Sequence, residues 1–366
     1  MLLCGEPLKT SPFESNFHDL IRIAGEVGAS DLHLEPFEEH VAVRMRVDGV
    51  LRMVQTITQK KLGDRLLQQA KQLCGFDMGK YGLPQDSRLK APSSPFDLRA
   101  NLIPTLYGEK MVLRLLERDK KFSLESYPLN PQTKEDLRSC LARWQGLILV
   151  TGPTGSGKTT LLYSALSEID PVTNNIHTLE DPVEYRVEGI SQTPIGKISF
   201  AESLSSLMRQ DPDVILVGEI RDEKTAQAAL HAASTGHLVL STIHANSAVE
   251  SIQRLQGLGV SEELVRSNLL FASAQRLVPQ NCPCCLRPDP MGQRLLQRRF
   301  ESQVMPMVSE GCSACEGTGT KGRALLFEYL IKDKDHSLQK MSSLRDAALN
   351  ALEKGEINAS DALCAP

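Results

Sequence analysis

The stretch "GLILVTGPTGSGKTT", residues 146–160, decides the fold. "GLILV" is a continuous apolar run of the kind that forms a strand buried on both faces of a parallel sheet. Gly152 to Thr159 then match G-x-x-x-x-G-K-[ST] at every position, and "TTLLYSALSEI" reads as the helix that should follow. The glycines let backbone N–H groups curl around phosphates, and the helix N-terminus faces their charge. The nucleotide-binding residues are therefore Gly152, Pro153, Thr154, Gly155, Ser156, Gly157, Lys158, Thr159 and Thr160. Lys158 should reach the β- and γ-phosphates of ATP, and the Thr159 hydroxyl should ligate Mg²⁺.

Outward from this stretch the same alternation repeats. "NIHTLED", "DVILVGEI" and "HLVLSTIH" are further buried-strand runs, with helical stretches such as 200–210 and 223–235 between them. Such alternation predicts an α/β domain with a parallel sheet covered on both faces. Ligands of such sheets bind beyond the carboxyl ends of the strands. Glu219 ends the strand 214–217, where it can hold Mg²⁺ through water or orient the attacking water. Its other reading is a surface pair with Arg221. Glu180 and Asp181 end another strand ahead of Pro182, and paired carboxylates suit metal and water positioning. His244 follows "HLVLST", where it can contact the γ-phosphate or serve the structure alone; His237, at the start of that strand, is open either way.

Upstream, residues 14–27 read as an amphipathic helix with Phe17, Leu20, Ile21 and Ala24 on one face. "DLHLEP" and "VAVRMRVDGVLRM" alternate as strands joined by a short loop, and 61–75 is a helix ending at Gly75. A Pro- and Ser-rich loop, "LPQDSRLKAPSSP", leads to the strands "DLRANLI" and "KMVLRLL". These form a small α+β domain over 1–118. A linker at 119–132 contains "ESYPLNPQ", the P-loop core runs over 133–275, and 276–366 is Cys-, Pro- and Gly-rich before ending in short helices.

Nine cysteines are present. Cys4, Cys74, Cys140 and Cys364 are scattered and read as ordinary thiols. Cys282-x-x-Cys285 and Cys312-x-x-Cys315 are two knuckles with 26 residues between them, each offering the bite of a tetrahedral Zn²⁺ site. A loop of that length closes at modest entropic cost. Cys284 is the spare thiol. Four thiolates leave no open coordination position, so the expected zinc is structural; free thiols in a loop without metal are the alternative.

The chain has 366 residues, 41% hydrophobic and 23% charged, with 41 basic against 45 acidic side chains and a net charge of −4. That balance lacks the basic excess of a nucleic-acid binder. No apolar run approaches the ~20 residues of a spanning helix, and "MLLCGEP" is too short for a signal peptide, with no leader ahead of Cys4. The expectation is a cytoplasmic protein, on a membrane only through partners, in a reducing compartment that argues against disulfides.

"ASDLHLEP", "VRMRVDG", "GPTGSGKTT", "LEDPVEY", "RQDPDVILVGEIRD" and "TGHLVLSTIHAN" together resemble the successive signatures of the secretion and pilus-assembly ATPases, the hexameric motors of type II secretion and type IV pili (the GspE/PilB group). The resemblance runs from about residue 28 to 330. It implies a RecA-like P-loop domain preceded by a small α+β, PAS-like domain, with a zinc-bearing C-terminal element. Leu179 to Tyr185 correspond to the family's aspartate box, with Glu180 in the catalytic carboxylate position. Glu219 corresponds to the Walker B glutamate and His244 to the histidine box. Arg99 and Arg114 stand where the N-terminal domain supplies arginines to the nucleotide, with Arg46 a weaker third; strand-surface charge is their plain alternative. Ser87, Asn101 and Ala245 depart from the family pattern, which leaves the loop geometry around 85–101 open. The assembly motors also usually carry a further N-terminal domain, so what that domain docks onto is open here.

The resemblance implies a homohexameric ATPase that drives pilin or pseudopilin assembly on an inner-membrane platform protein, from the cytoplasmic face, with ATP, Mg²⁺ and Zn²⁺. The tetracysteine element accompanies assembly and secretion motors and is generally missing from retraction motors. A nucleic-acid translocase is the competing motor, disfavoured by the charge balance. A non-catalytic binding module is disfavoured by Lys158, Thr159, Glu180, Glu219 and His244 all being present.

Overall fold

The computed structural model describes residues 16–90, 96–118, 120–196, 198–333 and 337–364, so Cys4 lies outside the described residues. The chain forms two compact units. One comprises Met1–Lys120, Asn281–Arg287 and Ser309–Gly322; the other comprises Lys121–Gln280, Pro288–Val308 and Arg323–Pro366.

In the first unit, α1 (Phe17–Glu26) starts where the Asn16 side chain accepts from the His18 amide at 3.1 Å. Its apolar spacing buries Phe17, Leu20, Ile21, Ile23 and Ala24. β1 (Ala29–Pro36), β2 (Val41–Val47), β3 (Val50–Ile57), β4 (Gln85–Lys90), β5 (Phe96–Thr105) and β6 (Gly108–Glu117) form one sheet in the order β3-β2-β1-β6-β5-β4, and α2 (Lys60–Leu73) joins α1 in covering it. Strand alternation puts Leu32, Leu34, Val43, Met45, Leu98 and Leu113 in the core. Two details depart from the sequence reading. "VAVRMRVDGVLRM" is two strands, turned at Asp48 and Gly49 with φ of 52° and 83°, the double positive φ of a two-residue hairpin. "QDSRLK", expected as loop, is the strand β4, paired with β5 from Gln85↔Leu102 to Lys90↔Asp97. It carries a single apolar residue, Leu89, and lies at the sheet edge, so its backbone pairing leaves almost no hydrophobic signature.

In the second unit, the Asn130 cap and Pro131 start α3 (Pro131–Leu141). There follow β7 (Gly146–Thr151), α4 (Lys158–Leu166), β8 (Ile176–Glu180), β9 (Ser191–Pro194), α5 (Phe200–Leu207), β10 (Val214–Ile220), α6 (Glu223–Ser234), β11 (Leu238–Ile243), α7 (Ala248–Gly257), α8 (Glu262–Asn268) and the long β12 (Leu269–Asn281). After β13 (Leu286–Pro288), α9 (Pro290–Phe300) and β14 (Met307–Ser309), β15 (Thr320–Lys332) and β16 (Leu338–Lys340) close the sheet, and α10 (Leu344–Glu353) and α11 (Ala359–Cys364) end the described chain. The eight-stranded order is β16-β15-β12-β7-β11-β10-β8-β9, with β12, β7, β11, β10, β8 and β9 pairing in parallel.

Every residue of β7 is buried. Leu147 and Leu149 pack into one core with side chains of α5 to α8, and Ile148 and Val150 into a second with α3 and α4. Each such fully buried side chain stabilises the fold by about 1.5–3 kcal/mol. Leu124, Tyr127 and Leu129 of the expected linker belong to that second core, so this segment is packed structure rather than a loose tether. The buried Glu328 of β15 accepts from the amides of Ala248 at 2.6 Å and Leu344 at 3.0 Å, tying the first residues of α7 and α10 together. The cysteine segments group with the first unit, whereas the sequence placed them with the chain's C-terminal region.

Candidate functional site

The P-loop sits between β7 and α4. Gly152, Gly155 and Gly157 have φ of 147°, 78° and 89°, values that side chains resist. A Cβ on Gly152 would meet the Gln275 carbonyl at 2.4 Å. Gly157 immediately precedes α4, so the loop and the helix N-terminus form one amide-lined concavity, with Lys158, Thr159 and Thr160 as the first helical residues. Lys158 Nζ donates to the carbonyls of Gly152 at 2.8 Å and Pro153 at 3.0 Å, which holds the ammonium over the loop. Burial lowers its pKa; the negative charge of Glu219 and, more weakly, of Glu184 opposes the fall, while Arg276 adds to it.

β11 lies between β7 and β10, which carries the loop after each strand to the same edge. The Thr151 hydroxyl donates to the Ala245 carbonyl at 2.9 Å and accepts from the Ala245 amide at 2.8 Å, locking the His244 loop to the end of the P-loop strand. The Thr242 hydroxyl donates to the Gly218 carbonyl at 2.7 Å and fixes the neighbouring turn of β10. Glu219 therefore meets His244 Nε2 at 3.6 Å and the Arg221 guanidinium at 2.6 Å. His244 is half exposed and Glu219 largely buried. The surface pair with Arg221 exists beside the site, and does not replace it.

Glu180 ends β8 and is 4% exposed; its carboxylate accepts from Tyr163, from Thr178 at 2.6 Å and from Gln192 at 3.2 Å. Those donors engage it inside the domain. Glu184, four residues on, is partly exposed and lies past the end of β8. The signal available in the sequence was that Glu180 still belongs to β8 while Glu184 lies past its end. His237 sits at the opposite end of β11, its ring bonded to the Ala232 carbonyl at 3.0 Å, and joins none of these groups.

In the first unit, strand register aligns Arg46, Asp31, Arg114, Arg99 and Arg88 in one row across β2, β1, β6, β5 and β4. Arg114 donates to Asp31 at 3.0 Å, and Arg46 stands 4.0 Å from the other oxygen of that carboxylate. Arg88 was missed in the sequence because its strand was. Ser87, one of the departures from the family pattern, bonds the Cys74 carbonyl, and Asn101 reaches Asp86 at 2.9 Å, so both serve the local sheet.

The Sγ atoms of Cys282, Cys285, Cys312 and Cys315 lie within 4.8 Å of one another. The separations Cys282–Cys312, Cys285–Cys315 and Cys312–Cys315 are 3.8, 3.9 and 3.8 Å. A tetrahedron with Zn–S arms of about 2.3 Å has edges of about 3.8 Å, so the thiols fit Zn²⁺. Amides of Cys312 and Gly319 donate to Cys315 Sγ at 3.1 and 3.2 Å, as suits a thiolate. Cys284 is exposed and outside the cluster. The Asp48 carboxylate accepts from the Gly322 amide at 2.9 Å, and Arg52 pairs with Glu316 at 3.8 Å, which accounts for the knuckles grouping with the first unit.

The chain is similar to known proteins over most of its length. The chain is 42% identical over 315 residues to the Type II secretion system protein E of Klebsiella pneumoniae, covering 83% of this chain and 63% of that protein. It is 39% identical over 336 residues to the Type II secretion system ATPase E of Vibrio cholerae, covering 89% and 66%. The chain thus spans a little under two thirds of the length of these relatives. Among solved structures, the pilus retraction motor PilT with bound ADP is similar at a TM-score of 0.66 and 27% identity, over 96% of this chain and 97% of that one. The Legionella pneumophila ATPase DotB shares the fold at a TM-score of 0.72 and 21% identity, over 98% and 97%. A sequence model described as Type II/IV secretion system protein matches residues 7–359, and the chain belongs to that family.

Proposed function

We propose that this chain is an ATPase of a protein-secretion machine, working as a homohexamer that couples ATP hydrolysis to assembly of pilin or pseudopilin subunits on an inner-membrane platform protein. The observation that carries the reading is a complete P-loop after β7 at the same edge of one parallel sheet as Glu219 and His244, which stand 3.6 Å apart. Two curated relatives at about 40% identity are named for type II secretion, which favours that system over a pilus. A nucleic-acid translocase remains the second reading; its test is stimulation of turnover by DNA.

The amides of the P-loop and Lys158 bind the triphosphate. Thr159 and Glu219 are the residues to hold Mg²⁺, which when bound neutralises the β- and γ-oxygens. We assign the attacking water and its proton to Glu184, partly exposed beyond the end of β8, where the sequence reading gave that role to Glu180. His244, aligned by Glu219, contacts the γ-phosphate side. Arg114 faces Arg99, and Arg99 faces Arg88, across paired strands. We assign the first unit, in its PAS-like role, to supplying these arginines. The four thiolates hold a structural Zn²⁺, which cross-links a segment with little core of its own. Among the described residues no helix is long and apolar enough to cross a membrane, so we assign membrane attachment, at the cytoplasmic face, to partners.

Two variants test the site. Glu219→Gln should bind labelled ATP normally and release phosphate at least about a hundredfold more slowly. Lys158→Ala should lose both. Wild-type phosphate release by Lys158→Ala would contradict the reading.

A further inference from the structure

Gln275 of β12 is fully buried, an uncommon place for an amide among apolar neighbours. Burying an amide is costly unless it is bonded; this one is bonded through its NH₂ group to the P-loop, while its Oε1 has no hydrogen-bond partner among the described residues. Its Nε2 donates to the Ser156 carbonyl at 2.5 Å and to the Tyr127 hydroxyl at 3.1 Å. The Tyr127 hydroxyl in turn donates to the Gly157 carbonyl at 3.5 Å. A carbonyl only accepts, so the NH₂ side of the amide must face Ser156.

The geometry has a direct consequence for phosphate binding. In a trans peptide the C=O and the following N–H point in opposite directions. Holding the Ser156 carbonyl inward therefore aims the Gly157 N–H outward. Holding the Gly157 carbonyl aims the Lys158 N–H the same way. These are two consecutive amides of the phosphate-facing concavity. Space reinforces the grip: a Cβ on Gly157 would lie 3.2 Å from Gln275 Nε2 and 3.4 Å from the Tyr127 hydroxyl oxygen.

Tyr127 belongs to the segment that carries the chain from the first unit into the second, and Leu124 and Leu129 bury its flanks. We propose that Tyr127 and Gln275 form a latch that sets the P-loop amides, so that both are positioning residues for nucleotide and the interdomain segment is tied directly to the phosphate-binding loop. This inference rests on the proposed nucleotide site, but the latch itself can be read without nucleotide.

The experiment compares wild type with Tyr127→Phe, Gln275→Met and the double variant. Amide hydrogen exchange is followed without nucleotide, and ADP affinity by calorimetry. Both single variants should exchange faster at residues 152–158, with β12 protection and melting temperature little changed in Tyr127→Phe, which removes only a hydroxyl. ADP binding should weaken about threefold in Tyr127→Phe and about tenfold in Gln275→Met. The double variant should bind ADP at least as weakly as Gln275→Met, because the Tyr127 hydroxyl holds the Gly157 carbonyl while Gln275 holds that of Ser156. Unchanged P-loop exchange in both single variants would overturn the latch, as would faster exchange spread over all of β12 with no preference for 152–158. A wild type that fails to bind ADP would instead defeat the nucleotide site, while the exchange comparison would still decide the latch.

Discussion

At the scale of single residues, the two glutamates of "LEDPVEY" show how burial separates roles. Glu180 is surrounded by donors inside the fold, so removing its charge should act on stability. Glu184 is partly exposed beyond the end of β8. Glu180→Gln should lower the melting temperature, at a cost of about 1–3 kcal/mol for a disturbed buried network, while turnover stays within a few-fold. Glu184→Gln should melt like wild type and turn over about a hundredfold more slowly. Thermal melts beside steady-state phosphate release separate the two; the reverse pattern would restore Glu180 as the catalytic group. The motif was legible in the sequence, but the burial of Glu180 among donors was not. That arrangement depends on donors from Tyr163 and Gln192, which lie 17 and 12 residues away along the chain.

At the scale of elements, β7, β10 and β11 were legible because burial on both faces leaves continuous apolar runs. β4 and the Asp48–Gly49 turn were not read, the first for want of apolar residues and the second because alternation continues across the turn. The cysteine knuckles were legible as a pair, yet their grouping with the first unit depends on Asp48, Arg52, Glu316 and Gly322, which carry no motif. As-purified protein should contain about one zinc per chain. Cys312→Ser should lose the metal and melt at a lower temperature, while Cys284→Ser, altering an exposed thiol, should keep both. Elemental analysis with thermal melts checks this, and zinc unchanged in Cys312→Ser would contradict the assignment.

At the scale of the whole molecule, the first compact unit runs to Lys120 and also takes in Asn281–Arg287 and Ser309–Gly322 from far along the chain. Tyr127, Gln275 and Glu328, which tie segments distant in sequence, left no trace in it, since a buried polar side chain looks the same as a surface one until its partners are known. The central proposal is that Arg99 and Arg114 serve ATP hydrolysis in a chain that works as a hexamer. The most direct measurement is ATP turnover against protein concentration, with light scattering on the same samples, for wild type and Arg99→Ala/Arg114→Ala. Specific activity should rise as hexamers form, and the double variant should assemble and keep its zinc yet turn over at least about a hundredfold more slowly, as loss of charge-assisted contacts to a phosphate predicts. A fully active monomer, or wild-type turnover in the double variant, would contradict the account.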